Sequence, residues 1–102
     1  MTDVEGLDVV KAMVMDAIAN DYEPTSMVVN EVISWAKERG MTVAPEDVFR
    51  ALTEFVHSGV AKAYRLSPAE PPLEVHSLSR VDLATDLYFL LTPMGHTLIK
   101  DY

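Results

Sequence analysis

The chain has 102 residues, the size of one hydrophobic core, and an apolar share of 49% with only four glycines, which is the make-up of a globular protein rather than a disordered or fibrous one. It has no cysteine, which excludes a disulfide scaffold and thiolate metal sites. Sixteen acidic side chains against eight basic ones leave a net charge of −8, which repels a polyanion at long range and makes the placement of the few cations decisive.

Residues 7–20 are expected to form the first helix. Leu7, Val10, Met13, Val14, Ala17 and Ile18 recur at the spacing of one helical face, and Asp8, Lys11, Asp16 and Asn20 fall outside it. Thr2 or Asp3 is placed to cap that helix. Residues 20–24 form a breaker run, because Pro24 biases Glu23 away from helical angles. A second helix starts at Thr25 or Ser26, either of which offers an oxygen to a first-turn amide, and Gly40 stops it. Val28, Val29, Val32, Ile33, Trp35 and Ala36 are its apolar residues; Asn30, Glu31, Ser34, Lys37 and Glu38 are its wet ones. Residues 41–44 make an extended turn ahead of Pro45, with Val43 expected to fill the gap between the second and third helices.

The third helix starts at Pro45, which suits a first turn that needs no amide donor, and ends at Gly59. Val48, Ala51, Leu52, Phe55 and Val56 lie on one face, and Glu46, Asp47, Arg50, Thr53, Glu54 and His57 on the other. Residues 60–66 read as a strand. Residues 67–82, with Pro68, Pro71, Pro72 and three serines, read as a long irregular wing in which Val75, Leu78 and Val81 touch down on the core or a partner. Residues 84–91, apolar on both faces, read as a return strand covered on both sides. Thr92 then caps a short helix that begins with Pro93 and runs to Ile99 or Lys100.

Two stretches carry a resemblance. Leu52 to Val60, LTEFVHSGV, is a helix that breaks at a glycine and enters a strand, and Leu87 to Gly95, LYFLLTPMG, looks like the run that closes the wing in many bacterial regulators. Together they resemble the winged-helix family of helix-turn-helix domains, of bacterial transcription-regulator type. The resemblance implies an α+β fold, mostly α: a three-helix bundle with a helix-turn-helix at about 25–58, a two-stranded β-wing at about 60–91 and a short C-terminal helix, as one domain over residues 1–102. It also implies a small regulator-like module and, for the family at large, DNA binding by the third helix.

The residues on that helix argue for a different use. Its exposed N-terminal half presents Glu46 and Asp47 with one cation, Arg50, and the acids are already accounted for by the helix dipole. The wing's fixed charges, Glu70, Glu74, Arg80 and Asp82, are net negative as well. Candidate nucleic-acid contacts therefore reduce to Arg50, Lys62, Arg65 and Arg80. His57, His76 and His96 lack the spacing of a zinc site, and no nucleophile stands with a base and an acid, so neither a catalytic constellation nor a cofactor site is legible. Met15, Tyr22, Trp35 and Tyr102 are the candidate interface, with a homodimer through the first and last helices or another protein as partner. No apolar run is long enough for a membrane span and the N-terminal acids are unlike a signal peptide, so a cytoplasmic location is expected. The primary expectation is a non-enzymatic module acting through protein contacts or self-association, and the alternative is a regulator with weak or atypical DNA contact.

Overall fold

A computed structural model describes residues 2–20, 22–67, 70–76, 78 and 87–99. Their order is α1 (Thr2–Ala17), β1 (Glu23–Pro24), α2 (Thr25–Glu38), α3 (Pro45–Ser58), β2 (Ala61–Ser67), β3 (Glu70–Val75), β4 (Tyr88–Leu91) and α4 (Pro93–Ile99). This is the winged-helix order, with α2 and α3 as the helix-turn-helix and the sheet behind them. Two glycines punctuate it. At the end of α2, Gly40 (φ 72°) donates to Lys37 O at 3.1 Å and Met41 to Ala36 O at 2.8 Å. At the end of α3, Gly59 (φ 82°) donates to Val56 O at 3.4 Å and Val60 to Phe55 O at 2.9 Å. Each end thus closes with the same paired bonds around one left-handed residue, a conformation that costs glycine least.

The helices and one face of the sheet enclose a single cluster of buried side chains. It includes Val14, Ile18, Val28, Val32, Val48, Leu52, Phe55, Leu87 and Phe89. The predicted faces of all three long helices point into it, and Val43 is buried between α2 and α3. Burial of this kind, at roughly 25 cal/mol per Å² of apolar surface, is what holds short helices that would be marginal alone.

α1 differs from expectation at both ends. It begins at Thr2, so Asp3 lies within the first turn instead of capping it, and it ends at Ala17 instead of Asn20. The early end has a cause in the sheet: Ile18 O accepts the amide of Leu91 at 3.1 Å, which draws the chain off the helical path. Of the predicted stripe, Val10, Met13, Val14, Ala17 and Ile18 are buried; the side chain of Leu7 is outside the described ones. Met15 is buried too, at 1% exposure, because α1 is flanked by α2, α3 and α4 and buries three consecutive positions.

Neither expected hydroxyl is the cap at Pro24, the residue preceding α2. Thr25 instead donates its hydroxyl to Leu87 O at 3.1 Å, and its amide donates to the same oxygen at 2.9 Å. The breaker run is therefore also a strand: Glu23 and Pro24 pair antiparallel with Phe89 and Tyr88. A proline is tolerated there because β1 is the sheet's edge.

The wing departs most from its predicted form. Among the described residues four strands, in the order β1-β4-β2-β3, form one sheet in place of a two-stranded wing. The segment read as irregular contains β3, which pairs Ala63 with Val75, Tyr64 with Glu74, Arg65 with Leu73 and Ser67 with Glu70. One residue of β2, Leu66, opposes two of β3 between the last two pairs, so Pro71 and Pro72 sit in a bulge on an edge strand, where missing donors cost little. Val75 and Leu78 do rest against the core, as expected; Val81 lies outside the described residues. β4 is buried on one face only, with Phe89 and Leu91 inside and Tyr88 and Leu90 half-buried. Residues 84–86 are outside the described ones.

α4 starts as predicted. Thr92 Oγ1 accepts the amide of Gly95 at 3.2 Å, the bond of an N-terminal cap. The same hydroxyl lies 2.7 Å from Gly59 O and 2.9 Å from Val60 O, and the Thr92 amide reaches Val60 O at 3.0 Å. One residue therefore caps α4 and ties it to the junction of α3 and β2.

Candidate functional site

The helix-turn-helix presents α3 through Glu46, Arg50, Glu54 and His57, which are exposed, with Asp47 and Thr53 half-buried between them and the core. Asp47 has structural work. Its Oδ2 accepts the amide of Ala44 at 3.0 Å, and its own amide donates to Ala44 O at 3.0 Å, so the acid closes the N-terminus of α3 from the third helical position. Its other oxygen, Oδ1, is 3.9 Å from Arg50 Nη1, a separation typical of a weak exposed pair. Arg50 thus shares its surroundings with the acids of the first turn. At the far end, Glu54 Oε2 is 3.0 Å from Lys11 Nζ, which ties α3 to α1 and offsets the charge of both.

Two of the other candidate contacts, Lys62 and Arg65, do not come together. Both are exposed, but they stand three apart on β2, and the period of two puts them on opposite faces. Lys62 pairs across the sheet with Leu90 and sets its ammonium 3.7 Å from Glu74 Oε1. Arg65 faces Leu73 in register, on the side of Ala61 and Ala63. Arg80 lies outside the described residues. A phosphate approaching Lys62 meets Glu74 as well, and Glu74 Oε2 also accepts from His76 Nδ1 at 2.9 Å.

The interface candidates separate in the same way. Met15 is buried and cannot form a seam. Trp35 is half-buried against the core, so it completes that core instead of projecting from it. Tyr22 lies beyond the end of α1, 37% exposed, with its ring edge-on to Tyr64 at 5.3 Å between centroids. Tyr102 is outside the described residues. The large apolar side chains most available for contact are instead Leu73 on β3, 63% exposed, Met27 at the start of α2, and Met94 and Leu98, four apart on α4 and 53% and 41% exposed. Their spacing is visible in the sequence, but only the docking of α4 decides which of its sides is wet.

Among the described residues no group of three His, Asp or Glu side chains converges as a metal site, and no helix is long and apolar enough to cross a membrane. Neither a family model nor a curated protein matches the sequence. Among solved structures, the chain is similar to a PadR-like transcription factor from Bacteroides fragilis, with a TM-score of 0.61 at 15% identity over 98% of this chain and 82% of that one. At that identity the likeness establishes the fold, a winged helix, and leaves the chemistry to the residues described above.

Proposed function

We propose that the protein is a non-enzymatic, regulator-like winged-helix module that works mainly through protein contacts, beginning with its own dimerisation through the first and last helices. The observation that carries this reading is the outward face of α3, where Glu46 and Asp47 occupy the first turn beside Arg50 at the position a winged helix would offer to the major groove. Carboxylates there meet phosphates with repulsion and no counterion release, so the affinity for duplex DNA falls below the ~10⁻⁴–10⁻⁶ M of ordinary non-specific binders. Met94 and Leu98 support the dimer, since they form an exposed apolar pair on α4, which itself rests on α1.

The second reading, a DNA-binding regulator, is favoured by the structural likeness to a transcription factor. One pair of measurements separates them. Wild-type protein is titrated with a mixed-sequence duplex at about 0.15 M salt, and so is the Glu46→Lys, Asp47→Asn variant, in which asparagine keeps an acceptor for the Ala44 amide. We expect no binding by the wild type and salt-sensitive, sequence-blind binding by the variant, because the helix geometry suits the groove and only the sign of its charge opposes it. Tight wild-type binding that is lost in Arg50→Ala or Lys62→Ala would establish the second reading. Sedimentation at tens of micromolar checks the dimer; a monomer there removes it.

A further inference from the structure

The alternation that buries Ala61, Ala63, Phe89 and Leu91 puts Lys62, Tyr64, Tyr88 and Leu90 on the side of the sheet turned away from the helices. Tyr64 and Tyr88 are direct cross-strand partners, so their rings start from neighbouring points on that face. Tyr22 adds a third ring, its plane at 82° to that of Tyr64. Tyr64, Tyr88 and Leu90 are half-buried, so this is a wet aromatic surface and not a second core.

Its charges restrict what can lie on it. Lys62 is already met by Glu74 at 3.7 Å, and Glu74 by His76 at 2.9 Å, so the described residues of the face carry no surplus of cations. A single-stranded nucleic acid stacked on the tyrosines would find no such surplus to hold its phosphates, and the net charge of −8 would oppose it. The same net charge draws in a cationic partner, and the negative faces of aromatic rings bind cations. Among protein cations, arginine fits best, because its planar guanidinium stacks on a ring while still bonding a carboxylate. Glu74 is within reach through Oε1, whose contact with Lys62 is long, partly exposed and exchanged at little cost, while Oε2 keeps His76 at 2.9 Å.

We propose that this sheet face docks an arginine-bearing segment of a basic protein partner, with guanidinium groups laid on Tyr64 and Tyr88 and a carboxylate contact at Glu74. The proposal shares with the reading above only the premise of protein contacts. It uses a different surface, so a monomeric result in sedimentation leaves it standing and its own failure leaves the dimer standing.

Fluorescence anisotropy at about 0.15 M salt tests it with two labelled probes of equal length and charge, one alternating arginine with glycine and one alternating lysine with glycine. At about 2- to 5-fold per ring, two rings contribute about 4- to 25-fold to the arginine peptide's affinity, and the lysine peptide, whose compact, strongly hydrated ammonium does not stack, should bind more weakly. Tyr64→Leu combined with Tyr88→Leu should lower the arginine peptide to the affinity of the lysine peptide, while Tyr88→Phe, which keeps the ring, should retain the preference. Equal affinity for the two peptides, binding of neither, or a preference untouched by the leucine variant would overturn the proposal. So would a single-stranded oligonucleotide that binds ahead of the arginine peptide. Should the leucine variant fail to fold, amide chemical shifts of the wild-type protein decide: perturbations centred on residues 62–64 and 88–90 are expected, and perturbations confined to α3 refute it.

Discussion

Gly95 offers a test in which two physical effects oppose each other and the sign of the result chooses between them. It lies in the first turn of α4 and is not among the glycines with positive φ, so its backbone suits any residue. Helix propensity alone then says that Gly95→Ala stabilises, by up to ~1 kcal/mol. The packing says the reverse. An added Cβ would stand 2.4 Å from Val60 O and 2.5 Å and 2.7 Å from two side-chain carbons of Leu91. Val60 O is backbone and holds the amide and hydroxyl of Thr92 at 3.0 Å and 2.9 Å, so it cannot retreat without loosening both bonds. At ~0.5–1.5 kcal/mol for each, that is ~1–3 kcal/mol lost. The net expectation is a destabilisation of about 1–2 kcal/mol, a fall in Tm of roughly 4–15 °C for a domain of this size. Urea unfolding followed by far-ultraviolet circular dichroism measures it, with an unchanged m-value as the sign that both states are otherwise intact. Gly40 is the control, because nothing lies within 4 Å of its added Cβ and its cost is purely that of φ 72°. Gly40→Asn should therefore recover part of what Gly40→Ala loses, whereas Gly95→Asn should be worse than Gly95→Ala. A Gly95→Ala protein as stable as the wild type would refute the close approach of α4 to Val60.

Leu52→Ala and Phe55→Ala should each cost ~2–5 kcal/mol, since both side chains point from α3 into the buried cluster and leave cavities; effects within error at both would mean that this helix buries a different face. Thr25→Val removes the hydroxyl bond to Leu87 O and should cost about 0.5–1.5 kcal/mol in the same urea assay, with Thr25→Ser close to wild type; a loss in Thr25→Ser with Thr25→Val unchanged would show that the methyl group and not the hydroxyl matters.

Much of the fold was legible because it depends on short-range patterns. The period of α3 identified Val48, Leu52 and Phe55 as core, Gly40 and Gly59 marked two helix ends, and the Thr-Pro pair at 92–93 marked the start of α4. Each of these rests on residues no more than a few positions apart, where steric and hydrogen-bonding preferences act without help from the rest of the chain. The acidic outward face of α3 was legible for the same reason, since Glu46, Arg50 and Glu54 share a helical surface whatever the helix packs against.

What tertiary structure decided involves partners distant in sequence. Met15 looked available for a seam, but it is buried because α1 is enclosed by three helices whose arrangement no local pattern encodes. Pro71 and Pro72 argued against a strand, yet β3 forms because its position at the edge and a bulge remove the need for their donors. Lys62 and Arg65 both looked like phosphate contacts, and strand alternation parts them while Glu74 reaches Lys62 from β3. Thr25 looked like a cap, and its hydroxyl goes to Leu87, 62 residues away. The sequence by itself thus determined which segments become helices, where they stop and what charge the third one shows. Which apolar residues are covered, and which charges meet, was settled only when the sheet closed over the helices, because burial and pairing belong to the assembled layers and not to any one segment.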